Sequence, residues 1–305
     1  MSTVDKSNVT YTGAESALPG FYLFSEYPAS TIALSVARLL NPDYKGPAIR
    51  VRRSSDNAEQ NIAFVNGVLD EAALLAFSAG GDAYVTTLYG QVGGLNAQRS
   101  VAAAQPRIVS AGVIDKVNGR PSMYFNGTSH YLVLSGASLN ALRNVSQAAI
   151  FTVAQLDSLD VTRIAIAFSG GTSPARQGII ANSPTLNRLS TASRRVDGEA
   201  SSQLVSAADV GANVHVVAQV MNYAANTQAL YTDDALSASG VASTSGPGAT
   251  SDTASLTAYV GVGVNTPMSG WWQGHISEVL VYGTDQSANR SDINQHAMSF
   301  YGVAA

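Results

Sequence analysis

The sequence contains no cysteine, so the fold has neither disulfide bonds nor a thiolate metal site. Charge is scarce as well: only 12% of the 305 residues are charged, about half of the share usual in soluble proteins. No segment approaches the roughly 18 apolar residues of a membrane-spanning helix, and the N-terminus lacks the apolar core of a secretory signal. Because 46% of the residues are nevertheless apolar, the composition predicts a folded chain that does not insert into membranes.

A basic surface is also missing. The net charge is −4 at pH 7, which argues against nucleic acid as a partner, because phosphate binding needs clustered Lys and Arg. Basic residues cluster only at Arg50, Arg52 and Arg53. Their alternation with Ile49 and Val51 predicts a strand whose charged face is solvated or ion-paired.

Motifs for cofactor or metal chemistry are absent from the sequence. The four histidines are far apart and form no ligand pair at helical spacing; they are His130, His215, His275 and His296. Asp233-Asp234 lacks the oxygen-rich spacing of a calcium loop, so a turn is the favoured interpretation. Gly261-x-Gly263 has no following helix to hold a phosphate, and no Gly-x-Ser-x-Gly elbow occurs. We therefore expect no cofactor and no metal.

The spacing of turn residues predicts one large β domain. From residue 106 onward, short apolar segments alternate with turn residues at roughly ten-residue spacing, as in a sandwich or barrel. Helical spacing occurs in residues 30–40, in residues 70–77, where Leu74, Leu75 and Phe77 would face inward, and in residues 287–301. Residues 237–255 are almost purely Ser, Ala, Gly and Thr, which indicates a mobile loop or a strand edge.

Residues 1–29 predict an extended N-terminal arm. The arm is polar at first and then aromatic, with Phe21, Tyr22, Phe24 and Tyr27 close together. Such a cluster needs a partner that covers it, either the chain's own domain or a neighbouring subunit, and both alternatives remain open.

Two C-terminal segments resemble the concanavalin A-like, laminin-G-like lectin and glucanase superfamily. Residues 118–132 read NGRPSMYFNGTSHYL and look like an entry strand pair, and residues 272–282 read WQGHISEVLVY and look like the closing strand. The resemblance implies an all-β, concanavalin A-like (laminin-G-like) jelly-roll sandwich with a few short helices. Its domain would span residues 30–305, with 118–305 as the laminin-G-like part.

Three upstream segments resemble the catalytic domain of the arabinofuranosidase B family, which uses the same sandwich. They are residues 37–40, 44–57 and 85–91. Segments of this kind are also similar to parts of structural proteins of tailed bacteriophages, which lack signal peptides.

The resemblance implies a pair of catalytic carboxylates, and this sequence departs from the family at the expected positions. The acid/base Asp falls on Asn265, and an amide is not a useful proton donor near neutral pH. The region of the nucleophilic Glu, between Asp160 and Asp197, contains no carboxylate, and the Asp of the family's Tyr-Asp-Gln turn is Gly90 here. Since a retaining glycosidase needs two carboxyl groups about 5–5.5 Å apart, we expect no catalytic residues and no enzyme.

The remaining site candidates are Asn265, Trp271, Trp272 and Gln273, which would line a glycan groove. Adjacent residues of a strand point to opposite faces, so one indole belongs to the core and the other to the surface. The alternative is that the closing helix or a neighbour covers both indoles.

Together these observations favour a non-enzymatic bacteriophage virion protein, displayed on the capsid or tail, with weak glycan adhesion. We expect the arm to bind other virion proteins or sister copies, and the sandwich to meet host-surface or environmental glycans. The expected location is the virion surface. An arabinofuranosidase-type glycoside hydrolase is the alternative, and a receptor-binding tail fibre module is a further one.

Overall fold

The structure of this protein is a computed structural model. It describes residues 22–28, 30–157, 161–170, 173–181, 185, 187–264 and 268–304, without the side chains of 169, 170 and 173–181. No helix in this part of the chain is long and apolar enough to cross a membrane.

Strands dominate the described residues. In chain order they are β1 (Ile32–Ser35), β2 (Ile49–Arg53), β3 (Glu59–Ile62), β4 (Phe64–Val65), β5 (Val68–Leu69), β6 (Ala83–Leu88), β7 (Ala97–Gln98), β8 (Arg107–Ser110), β9 (Val113–Ile114), β10 (Lys116–Val117), β11 (Arg120–Pro121), β12 (Met123–Asn126), β13 (Leu132–Leu134), β14 (Gln147–Leu156), β15 (Arg163–Gly170), β16 (Ser173–Ala181), β17 (Leu189–Ser193), β18 (Ser202–Val205), β19 (Val214–Asn222), β20 (Thr227–Thr232), β21 (Ala235–Gly240), β22 (Ser255–Val260) and β23 (Gln273–Tyr282). The helices are α1 (Leu23–Glu26), α2 (Glu71–Ser78) and α3 (Arg290–Tyr301), with 3-10 turns at Ala102–Ala104 and Gly136–Asn140.

The larger strands form two antiparallel layers. The first runs in the order β3-β2-β6-β8-β12-β23-β14-β19-β20-β21, with β1 beside the second half of β23. The second runs in the order β7-β13-β22-β15-β16-β17-β18. Because β7 also pairs with β6, the two layers are joined along one edge.

The core lies between the two layers. Alternate residues of both layers point inward, among them Met123, Ile150 and Ile276 from the first and Leu132, Phe168 and Val260 from the second, and all are buried in one cluster. A second cluster lies on the outer face of the first layer, where α1 and α3 cover the strands. This architecture confirms the all-β jelly-roll sandwich with few short helices.

One predicted helix is wrong. Residues 30–40 contain β1, which pairs with β23 from Ile32 opposite Val281 to Ser35 opposite Glu278. All four residues of β1 are buried. A short strand that is apolar on both faces imitates helical spacing, and only its pairing with β23 distinguishes the two.

The other two predicted helices are present with small corrections. In α2 the Asp70 side chain accepts a hydrogen bond of 2.9 Å from the Ala73 N–H, and Leu74 is buried. Leu75, expected to face inward, is 38% exposed. The C-terminal helix begins at Arg290.

The turn expected at Asp233-Asp234 is present, and its side chains form hydrogen bonds with β19 and with α3. Both residues have positive φ, as the hairpin between β20 and β21 requires. Asp233 accepts hydrogen bonds from the His215 ring at 2.6 Å and from the Val216 N–H at 2.9 Å. Asp234 binds the side chain of Ser291 at 2.6 Å, and the turn thereby fastens the start of α3 to the first layer.

Candidate functional site

A cleft of about 550 Å³ lies where the two layers join. It is lined by Arg50, Glu59, Thr86, Thr87, Tyr89, Asn96, Gln98, Arg99, Ser100 and Val133. Amides, hydroxyls and charged groups dominate this lining, so the cleft suits a polar ligand rather than an apolar one.

Strand register brings the lining residues together. Arg50 is opposite Thr87, Thr87 is opposite Gln98, and Gln98 is opposite Val133, so four neighbouring strands place these side chains in one row. In β2 the neighbours Ile49 and Val51 are buried in the core, which directs Arg50 away from it. The row is therefore a consequence of alternation across β2, β6, β7 and β13.

Glu59 is the carboxylate of the lining. Its Oε2 accepts a hydrogen bond of 2.6 Å from the Nε of Arg50, and this hydrogen bond is the largest cause of the raised pKa of Arg50. On the adjoining side, the Tyr89 hydroxyl donates to the Asn61 side chain at 3.0 Å. Glu59 is thus oriented by a cation while its side chain stays 36% exposed and open to a ligand.

A tight turn between β6 and β7 forms the rim of the cleft. The Gly90 N–H donates to the Oδ1 of Asn96 at 2.9 Å. A Cβ at position 90 would lie 2.3 Å from the carbonyl oxygen of Leu95, so only glycine fits there. Gln91 follows and is buried, and its Oε1 accepts from the Leu40 N–H at 2.6 Å.

An aromatic cluster borders the cleft on the outer face of the second layer. The Tyr131 ring lies 5.5 Å from that of Tyr259 and 5.7 Å from that of Trp271, both edge to face. The Arg99 guanidinium lies 4.2 Å from the Tyr131 ring centre, and Val133 belongs to the same cluster. Arg99 and Val133 also line the cleft, so cleft and aromatic cluster form one continuous surface.

The structure distributes the four predicted glycan-binding residues over different environments. Trp271 is half-buried in the aromatic cluster, whereas Trp272 is 2% exposed in the main core, and its Nε1–H donates to the His275 carbonyl at 3.2 Å. The Gln273 side chain accepts from the Arg163 guanidinium at 2.7 Å, so its oxygen is already engaged. Asn265 lies outside the described residues.

The arm residues pack on the chain's own domain. Leu23 and Tyr27 are buried against the outer face of the first layer, with Phe24 partly buried beside them. Tyr22 is half-buried next to Gly67, and Phe21 lies outside the described residues. The part of the arm that the structure describes therefore covers this chain's own sheet.

Two histidines outside the cleft, His130 and His275, have a lowered pKa. Burial lowers the pKa of His130 and of His275, the latter despite the carboxylates of Asp115 and Asp157 nearby. Within the described part of the chain, no three His, Asp or Glu side chains come together as a metal site would require.

Sequence reasoning missed the cleft residues, above all Glu59, Asn96 and Arg99. The charged face of β2 was the available signal, and the expected ion pairing of that face is confirmed by Arg50 and Glu59. Their convergence with β7 and β13 follows only from the strand pairing.

A known family model matches part of the chain. Residues 22–150, less than half of the chain, match the model described as "Alpha-L-arabinofuranosidase B, catalytic". No curated protein matches the sequence.

Solved structures of arabinofuranosidases share the fold. An arabinofuranosidase complexed with arabinofuranosyl-α-1,2-xylobiose aligns with a TM-score of 0.59 and 16% identity over 88% of this chain and 63% of its own. A GH54 α-L-arabinofuranosidase soaked with a cyclic sulfate inhibitor aligns with a TM-score of 0.57 and 14% identity, over 89% of this chain and 63% of its own. The chain thus spans a little under two thirds of the length of these structures.

These matches correct the expected function. The expectation of a non-enzymatic bacteriophage virion protein is wrong, because the family match is to the catalytic domain of a glycosidase and the shared fold is that of arabinofuranosidases. The expectation that no enzyme is present depends on three departures from the family: Asn265, the region between residues 160 and 197, and Gly90. Carboxylates act by their proximity in space rather than by sequence position, and Asn265 and the side chains of 173–181 are not described.

Proposed function

We propose that this chain is a glycoside hydrolase of the arabinofuranosidase type and that the cleft binds the sugar that it releases. The main support for the proposal is the position of the cleft-lining residues in the sequence. Every residue that lines the cleft falls within residues 22–150, the segment matched by the arabinofuranosidase catalytic-domain model.

The cleft has the groups that a sugar ring needs. Each sugar hydroxyl both donates and accepts a hydrogen bond, and the amides of Asn96 and Gln98 and the hydroxyl of Thr87 offer both functions. The volume of about 550 Å³ is within the range of about 300–1,000 Å³ typical of ligand sites. The adjoining Trp271 and Tyr259 provide aromatic faces for further sugar rings.

Glu59 is our candidate for one of the catalytic carboxylates. Glycosidases flank the scissile bond with two carboxyl groups, one that protonates the leaving oxygen and one that acts as base or nucleophile. Glu59 is the carboxylate in the described lining, and Arg50 fixes its orientation. The release of arabinose can be measured without knowing which residue supplies the second carboxyl group, so it tests the proposal directly.

The experiment compares the protein with two glutamate variants on 4-nitrophenyl α-L-arabinofuranoside and on arabinoxylan. We expect wild-type protein to release arabinose and Glu59→Gln to be slower by about 100-fold or more, the usual contribution of general acid–base catalysis. The matched control is Glu71→Gln, which removes an exposed carboxylate paired with Lys116 outside the cleft. Its rate should be unchanged.

Two results would overturn the proposal. No release from either substrate by wild-type protein contradicts the hydrolase. Equal rates for wild-type protein and Glu59→Gln contradict the cleft as its site.

A further inference from the structure

We infer that the cleft takes a glycan that carries a carboxylate, a chain containing uronic acid, and that Arg99 recognises this carboxylate. The inference deepens the proposed function and rests on it for the sugar chemistry of the site. Its own basis is an unbalanced positive charge in the lining.

The charges of the described cleft do not cancel. Arg50 and Glu59 neutralise each other at 2.6 Å. Arg99 is the second cation of the lining, and no carboxylate in the described part of the chain forms an ion pair with it. One positive charge therefore faces the ligand.

Arg99 differs from the other arginines whose side chains the structure describes. Each of those donates at least one hydrogen bond to protein, whereas the Arg99 guanidinium donates none to any described residue. Its Nε–H is buried without a hydrogen-bond partner, and the guanidinium carbon lies 4.2 Å from the centre of the Tyr131 ring. Arg52 makes a useful comparison, because it also lies over a tyrosine but donates to Gln105 at 2.7 Å.

The backbone at Arg99 is fixed on both sides. Its N–H donates to the Thr86 carbonyl at 2.8 Å, and its carbonyl accepts from the Gln105 side chain at 3.0 Å. The root of the side chain is thus held at the cleft, and the ring of Tyr131 supports the guanidinium. A binding group that is held in place before the ligand arrives loses less freedom on binding.

A carboxylate fits this cation better than a neutral hydroxyl does. The planar guanidinium presents paired N–H groups that match two carboxylate oxygens, and such charged hydrogen bonds are about twice as strong as neutral ones. A neutral sugar over Arg99 would remove water from the cation and return no counter-charge. The net charge of −4 provides no general attraction for anions, so recognition of an acidic glycan has to be local.

The test is calorimetric titration of the full chain with a xylo-oligosaccharide that bears a glucuronic acid branch and no arabinofuranosyl group. The comparison ligand is the same oligosaccharide with its carboxyl reduced to the alcohol. We expect wild-type protein to bind the acid form about tenfold or more tightly. Arg99→Gln should abolish that preference, and Arg99→Lys should keep part of it.

Arg53→Gln is the matched control, because it removes the same charge from an arginine that lies over the Phe77 ring, hydrogen-bonds Asp56 and Phe77, and does not line the cleft. It should keep the full preference. Equal affinity of wild-type protein for both ligands, or an equal loss in Arg53→Gln, overturns the inference. Inorganic phosphate that displaces the acid form at equal concentration also overturns it, since the site would then bind anions without regard to sugar.

Two readouts keep the result decisive. Thermal unfolding of each variant shows whether it folds. If Arg99→Gln does not fold, the affinities of wild-type protein for the acid and the reduced oligosaccharide test the inference by themselves. Binding can be measured without turnover, so the two proposals can fail separately. A protein that prefers the acid form but releases no arabinose supports the inference about Arg99 and contradicts the proposed hydrolase activity.

Discussion

Arg38 and Glu278 form a two-point ion pair beneath α3, with distances of 2.6 and 2.8 Å and side chains that are 3% and 2% exposed. Burial alone would lower the pKa of Arg38, but the charge and hydrogen bonds of Glu278 outweigh it and raise the pKa. The Tyr301 hydroxyl donates to Glu278 at 3.3 Å, and Arg38 also contacts His296. The pair therefore ties the segment after β1 to the closing strand and to the C-terminal helix.

The first prediction follows from this pair. Glu278→Gln leaves Arg38 buried without a counter-charge, which should cost about 3–5 kcal/mol of the free energy of unfolding in denaturant titrations. The control is Arg143→Gln, which breaks the exposed pair with Asp252 and should cost less than about 1 kcal/mol. Similar losses for both variants would show that the burial of the pair has no energetic role.

The second prediction concerns the turn at the rim of the cleft. Gly90→Ala places a methyl group 2.3 Å from the Leu95 carbonyl oxygen, so we expect a loss of about 3 kcal/mol by overpacking. Gly94→Ala in the same turn has open space around it and positive φ, and should cost about 1 kcal/mol. Denaturant unfolding measures both values. A Gly90→Ala protein as stable as Gly94→Ala would contradict the described turn.

The third prediction is a pH dependence at Asp234. Burial opposes ionisation of this carboxyl, but hydrogen bonds from Ser291 and Gln295 and the charge of Arg290 prevail and lower its pKa. A lowered pKa in the folded state stabilises the fold above the unfolded value of about 3.9. This contribution disappears as pH falls through the folded value. The difference in stability between wild-type protein and Asp234→Asn should therefore be constant near pH 6 and shrink below about pH 4. A difference that does not change down to pH 2.5 would exclude the ionised contact.

The fourth prediction separates the adjacent tryptophans. Trp272→Ala should cost about 3–5 kcal/mol in the free energy of unfolding, because its indole fills the main core. Trp271→Ala removes a half-buried side chain of the aromatic cluster and should cost much less. Equal costs in thermal or chemical unfolding would mean that both indoles are buried alike.

The sequence was informative where local pattern determines structure. The closing strand, the helices near residues 71–78 and 290–301 and the turn at Asp233-Asp234 all have signals within a few residues. The segment of β1 was not predictable in this way, since its four buried residues acquire strand character only through β23, more than 240 residues away in sequence.

The cleft was beyond sequence reasoning for a related physical reason. Arg50, Thr87, Gln98 and Val133 are ordinary strand residues in isolation. They become neighbours because β2, β6, β7 and β13 pair side by side. The family resemblance implies catalytic positions at Asn265, between residues 160 and 197 and at Gly90. Of these, Gly90 lies at the rim of the cleft, and the residues that line the cleft precede residue 134.

The most direct test is a crystal structure of Glu59→Gln soaked with an arabinose-bearing xylo-oligosaccharide. We expect the arabinofuranosyl group in the cleft, within hydrogen-bond distance of residue 59 and of Asn96, with the rest of the chain towards Trp271. A cleft that stays empty while arabinose density appears elsewhere on the molecule would contradict the account.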